Sequence, residues 1–181
     1  TIDGWFKLST SIGPPFAHMA GKWPGYGLFH SVSDNKVYFI LLGVGSVADP
    51  TPQTKPWAGF VHYAGTYDGA SMKIYRNGVP VASVSAGGAI TSTSNPFTMG
   101  NYDYNDPPSP DGAIGGQVDE VEVFNRALSA AEIQAIFNAG SAGKCKPAQA
   151  CVPPPTGLVS WWPGDGNAND IRDANHGTLV N

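Results

Sequence analysis

Apolar and polar positions along this chain change their period at a few sharp points, and the clearest lies between residues 115 and 140, GGQVDEVEVFNRALSAAEIQAIFNAG. Over residues 118–124 apolar and charged residues nearly alternate. That period puts Val121 and Val123 on one face of a half-buried strand and Glu120 and Glu122 on the opposite, solvent-facing one. Asp119 shares parity with Val121 and Val123, so it is expected to point to the apolar side. The period then lengthens. Ser129 and Glu132 have capping-box spacing, while Leu128 before the cap and Ile133 at the fourth helical position form a staple pair. A helix of about three turns is predicted from Ala130, with Ile133, Ile136 and Phe137 on one face and Gly140 just past its end.

Upstream, the pattern is that of short strands and turns. Residues 1–8 read as a strand carrying Ile2, Trp5 and Phe6, and residues 13–25, rich in Pro and Gly, read as a loop. Residues 26–32 and 36–44 are predicted as two antiparallel strands around the Asp34-Asn35 turn, and residues 48–56, with three prolines, as a loop. Strand character resumes over 57–67. Residues 71–76 and 79–85 flank Asn77-Gly78, the strongest hairpin signal in the chain. A loop over 86–95, a short strand over 96–101 and a long acidic loop over 102–112 lead into the strand and helix described above. On pattern alone this is antiparallel β with one helix near residues 130–139, a two-sheet sandwich or jelly roll.

Composition narrows the class. With 181 residues, 41% hydrophobic and 11% aromatic, the chain can bury a full core. Only 13% of residues are charged and the net charge is −4, with no basic stripe for a phosphate backbone, so nucleic acid is not an expected partner. No apolar run approaches the roughly 18 residues that a spanning helix needs. Past Gly140 the composition shifts: residues 141–156 read as a Pro-rich linker and residues 157–162 as a new strand, followed by a turn-rich stretch and a last strand at 178–180. Cys145 and Cys151, with five residues between them, are consistent with a small surface disulfide in an exported protein or with two free thiols, and they lack the further ligands of a zinc site.

Three stretches carry a resemblance. AGTYDGASMKIYRNGVPVAS, GGQVDEVEVFNRALSAAEIQAIFNAG and GLVSWWPGDGNANDIRDANHGTLVN resemble the laminin-G-like, concanavalin A-like jelly-roll domains of exported bacterial multidomain proteins. The resemblance implies an extracellular or cell-surface location and a tandem arrangement. In this reading residues 1–140 are a sandwich lacking its opening strands, and residues 157–181 are the opening segment of a second copy. That segment is expected to complete the sandwich within its own chain or by swapping into a neighbour, giving a strand-swapped homo-oligomer.

Candidate chemistry is of three kinds. A carboxylate on an apolar face needs a partner, so Asp119, with Asp170 and Asn175 on the turn-rich stretch, is a candidate set for a structural calcium, the alternative being a carboxylate that accepts backbone N–H bonds. Asp103, Asp106 and Asp111 in NYDYNDPPSPDG form a second acidic cluster. Relatives of the resembled fold bind calcium through comparable loops, and a solvated turn is the alternative. Exposed aromatics stack on the apolar face of a pyranose, which makes Trp23, Tyr26, Tyr102 and Tyr104 candidate carbohydrate-binding residues, whereas Trp5, Trp57, Trp161 and Trp162 lie in strand patterns and are expected in the core. The four histidines show no metal-ligand spacing and are read as packing or surface residues. Glu120 and Glu122 could sit about 5 Å apart, as retaining glycoside hydrolases require, but they lead straight into a helix and lack the acidic motif of laminarinase-like enzymes. The expected function is a non-catalytic carbohydrate-binding or adhesion module that meets a glycan or another extracellular surface ligand. A glycoside hydrolase or a ligand-free spacer repeat are the alternatives.

Overall fold

The structure, a computed structural model, describes residues 1–11, 16–101, 112–140, 154–164 and 166–178. Two antiparallel sheets stack face to face. Their strands are β1 (Ile2–Ser11), β2 (Phe16–Lys22), β3 (Tyr26–Ser31), β4 (Val37–Leu41), β5 (Gly45–Ala48), β6 (Val61–Tyr67), β7 (Ser71–Arg76), β8 (Val79–Ser85), β9 (Thr98–Met99), β10 (Ile114–Phe124) and β11 (Leu158–Trp162). The six-stranded sheet runs β11-β10-β1-β6-β7-β8 and the five-stranded sheet β5-β4-β3-β2-β9. This is the two-sheet sandwich that the pattern suggests, of the concanavalin A-like jelly-roll kind that the resemblance implies, with a single helix, α1 (Ala130–Ala139), among the described residues.

The inner faces of both sheets form the main core, with Ile2, Phe6 and Leu8 of β1 opposite Leu28, Phe39 and Leu41 of β3 and β4. Asp49, fully buried beyond β5, accepts hydrogen bonds from Tyr63 Oη of β6 at 2.9 Å and from the Arg76 guanidinium of β7 at 2.8 Å, so a satisfied polar link ties one sheet to the other. A second, smaller core lies on the outer face of the six-stranded sheet. There Ala64, Tyr75, Phe124, Leu158 and Trp161 pack under Leu128, Ile133 and Ile136.

Local chemistry explains why α1 forms and where it stops. Ser129 accepts from the Glu132 amide while the Glu132 side chain accepts from the Ser129 amide, the reciprocal box that the spacing predicts. Gly140 caps the end at φ 50°. The Asn77-Gly78 turn also forms as predicted, with both residues at positive φ, and Asn77 both accepts from and donates to the backbone of His62.

Several expectations are corrected. Residues 16–22, expected within a loop, form β2, which is hydrogen-bonded to β3 on one side and β9 on the other and has its central residues buried. Within the run 36–44 only Val37–Leu41 form a strand, β4; a turn over 42–44 leads into β5 beyond it, and Trp57 is buried but lies before β6 rather than in it. Thr178 lies in no strand, and 179–180 fall outside the described residues. The largest correction concerns β10. Asp3 pairs with Glu122 and Trp5 with Asp119, so two steps along β1 match three along β10. The extra residue is a β-bulge at Glu120, which takes φ 48°. Beyond it the parity inverts. Glu122 is fully buried rather than solvent-facing, and Asp119 shares the face of its cross-strand partner Trp5, the helix side, instead of the inner face with Val121.

Candidate functional site

Strands β2, β3 and β4 are apolar on both parities. Leu28, Phe39 and Leu41 face the inner core, which leaves Phe29 and Ile40 on the opposite, outer face. No helix covers that face among the described residues. Instead Phe29 collects a ring of aromatics: Phe16 at 6.3 Å, Trp23 at 5.2 Å edge-on, and the His18 imidazole at 4.9 Å between centroids. Tyr38 extends the cluster through Phe16. Beside it lies a groove of about 590 Å³, lined by Phe16, Trp23, Phe29, Ile40, Leu42 and Ser46 together with the Gly43–Gly45 turn. Its size falls in the range of small-ligand sites. Phe29 is buried as its floor, Trp23 is half-buried on its wall and Leu42 is exposed at its rim. None of its lining side chains is charged.

His18 holds the floor from the side, as the cross-strand neighbour of Phe29. Its ring occupies space that only glycines leave open: a Cβ on Gly21 or Gly27, which are paired across β2 and β3, would stand 3.0 and 3.2 Å from Nε2. The Nδ1 hydrogen is directed at the Asn101 carbonyl, 3.0 Å away, and Thr98 Oγ1 lies at 3.1 Å. The His18 amide donates to the Gly112 carbonyl at 2.6 Å. Burial lowers the His18 pKa to about 4, against a smaller upward pull from the Asn101 carbonyl, so the ring is neutral at physiological pH.

Trp23 and Tyr26, selected together from the sequence, are separated by the sheet. Tyr26 packs against the main core and faces Phe97 at 6.4 Å. It lines a different cavity of about 260 Å³, together with Ile2, Phe39, Tyr67, Ile90 and Arg126. Tyr102, Tyr104, Asp103, Asp106 and Asp111 lie outside the described residues, as do Cys145 and Cys151. Phe16, Phe29, Ile40 and Leu42 were not selected from the sequence. The available signal was the run of apolar residues on both parities, which demands cover on both faces of a strand.

The acidic candidates are distributed as follows. One oxygen of the buried Asp170 carboxylate accepts the amides of Trp161 and Arg172, each at 2.9 Å. Burial alone would raise the pKa of this carboxyl, but these amides, that of Asp173 and the Ser160 hydroxyl outweigh it and hold the group below the usual range. Asn175 donates to Ser160 Oγ at 2.7 Å, and its carbonyl receives the Trp162 indole. Such donors make Asp170 and Asn175 anchors of a turn. Asp119 faces the Gly164 turn, where a Cβ would stand 2.9 Å from its Oδ1. Among the described residues no group of three or more His, Cys, Asp and Glu is placed to hold a metal ion.

Glu120 and Glu122 both lie beside Trp161, whose backbone pairs with Glu122. The Trp161 indole donates to Glu120, and Glu122 is buried on the face where Asp3 and His62 meet at 3.3 Å. Trp57, Trp161 and Trp162 are buried, as their strand-like context suggested, and Trp5 is half-buried, stacked on Phe137 of α1. His18, His30 and His62 are buried, and His176 is exposed.

Comparison with known proteins gives one match in sequence: the family model of the laminin-G-like group in the concanavalin A-like lectin/glucanases superfamily, over residues 1–134. A search of curated proteins finds no match. Among solved structures, a presumed carbohydrate-binding protein of Bacteroides ovatus superposes with a TM-score of 0.68 at 14% identity, covering 94% of this chain and 49% of that one. The chain thus spans about half the length of that protein. A Trypanosoma rangeli sialidase solved with sialic acid gives a TM-score of 0.54 at 15% identity, over 77% of this chain and 23% of the enzyme. A heptameric pentraxin from Limulus polyphemus gives 0.50 at 13% identity, over 77% and 69%. At these identities the likeness is one of fold.

Proposed function

The chain belongs to the concanavalin A-like lectin/glucanases superfamily, and from that premise we propose that it is a non-catalytic carbohydrate-binding module. The observation that carries the reading is the groove on the outer face of the five-stranded sheet. An aromatic wall at Trp23, an apolar floor at Phe29 and Ile40, and a rim of backbone and Ser46 suit a sugar that presents one apolar face and a few hydroxyls. The lining has no charged side chain, which favours a neutral pyranose over a sialic or uronic acid. The Bacteroides ovatus protein supports the reading through its description as presumed carbohydrate-binding. Neither Glu120 nor Glu122 lines the groove, and Glu122 is fully buried, which favours binding over hydrolysis.

An extracellular or surface setting, with a role in adhesion, accompanies this proposal. Among the described residues no helix is long and apolar enough to cross a membrane. The proposal also includes calcium, as a structural ion at Asp119 beside the Gly164 turn, where backbone carbonyls could join a carboxylate. A chelator is then expected to lower the melting midpoint, and an unchanged midpoint removes the ion from the reading.

A glycan array tests the function. Binding to neutral glycans that drops at least tenfold in Trp23→Ala, with the melting midpoint held within a few degrees, is the expected outcome. Equal binding by Trp23→Ala, or none by the parent chain, contradicts it.

A further inference from the structure

The structure assigns residues 154–178 the role of a transferable strand, and we propose that a second copy of this chain can supply it to the β10 edge. Among the described residues, the segment joins the six-stranded sheet along its β10 edge. Leu158, Ser160, Trp161 and Trp162 pair with Phe124, Val123, Glu122 and Val121. Gly157 accepts from the Asn125 amide at 3.0 Å, Thr156 accepts from Arg126 Nε at 2.8 Å, and the Trp161 indole donates to Glu120.

Two adjacent indoles then plug two different cores. Trp162 enters the space between the sheets and stacks on Phe97, with centroids 4.8 Å apart and planes 10° apart. Trp161 enters the helix-side core with Phe124, Ile133 and Ile136. A β10 edge without the segment would expose both cores and a row of unpaired amides, a strong template for another strand.

The segment also carries its own closure. Ile171 donates to the Trp161 carbonyl at 2.9 Å, Asp170 accepts from the Trp161 amide, and Asn175 holds Ser160 and Trp162. Residues 166–178 thus cover the free side of β11 with bonds internal to the segment. The donor unit keeps these bonds whichever body it joins. Residues 141–153 connect it to α1, and 13 residues can reach up to about 45 Å, enough to serve the same chain or a neighbour. The structure shows the intrachain form, and a shorter connection or a higher concentration favours the exchanged one.

The test uses the full chain with Cys145→Ser and Cys151→Ser, and with Val123→Cys and Ser160→Cys, which are cross-strand partners, to trap the pairing under oxidation. A second form also lacks residues 143–152. We expect disulfide-linked monomer from the first at micromolar concentration, a several-fold larger share of linked dimer after refolding at millimolar concentration, and mostly linked dimer from the shortened form. Linked monomer alone under every condition overturns exchange. No link in either form overturns the β10–β11 pairing itself. Circular dichroism of the first form, and its parity with the parent chain, shows that the cysteines have not unfolded it.

Discussion

Each sheet has an outer face rich in aromatics, and the two are covered in opposite ways. On the six-stranded sheet Trp5, Tyr75 and Phe124 lie beneath α1 and beside Trp161, and the polar groups there, Asp3, His62 and Glu122, are buried with them. On the five-stranded sheet Phe16, Trp23, Phe29 and Tyr38 meet no helix among the described residues, and a groove of about 590 Å³ remains beside them. The same side-chain types therefore form core on one face and border an open groove on the other. The cover decides which, and it comes from parts of the chain distant in sequence.

If the helix-covered face is core and nothing more, damage there should cost stability without touching binding. Trp161→Ala removes a buried indole and its hydrogen bond, and is expected to lower unfolding free energy by about 3–5 kcal/mol. Denaturant unfolding measures this. Glycan affinity in the remaining folded protein should match the parent, and a parallel fall in affinity would mean that the two faces are not independent.

The next effect comes from the groove floor. His18 is neutral and buried, with its pKa at about 4 against about 6.5 in the unfolded chain. Between pH 6.5 and 4 the unfolded state binds the extra proton, so stability is fully present above pH 6.5 and is lost as pH falls toward 4. The loss is about 3 kcal/mol at the lower limit. Urea titrations at pH 7, 5.5 and 4 should show it, with a visibly smaller slope in His18→Gln. Equal slopes in the two proteins would place the acid sensitivity elsewhere.

The smallest expected effect tests how firmly the cover is attached. Ser129→Ala removes the N-cap of α1 and should cost about 1 kcal/mol. A thermal melt detects that, and glycan binding should not change.

These contrasts also explain what could be read in advance. The Asn77-Gly78 hairpin and the Ser129–Glu132 box are local codes, and both appear as their residues specify. β2 was hidden because its flanks are rich in Pro and Gly and because FAHMAGK has no alternation. The burial of Glu122 was hidden because one extra residue at Glu120 inverts every later position, and periodicity does not register a bulge. Trp23 was legible as a loop aromatic. Its partners Phe29 and Ile40 were not, because their place on the groove side depends on which face of the sheet lacks a helix.

The account rests on the placement of the glycan site, and an NMR titration of isotope-labelled chain with the best array ligand tests it most directly. Shifts concentrated at Phe16, Trp23, Phe29, Leu42 and Ser46, with α1 silent, are the predicted result. Shifts centred on α1, or on the Tyr26 cavity with Trp23 unmoved, would contradict it.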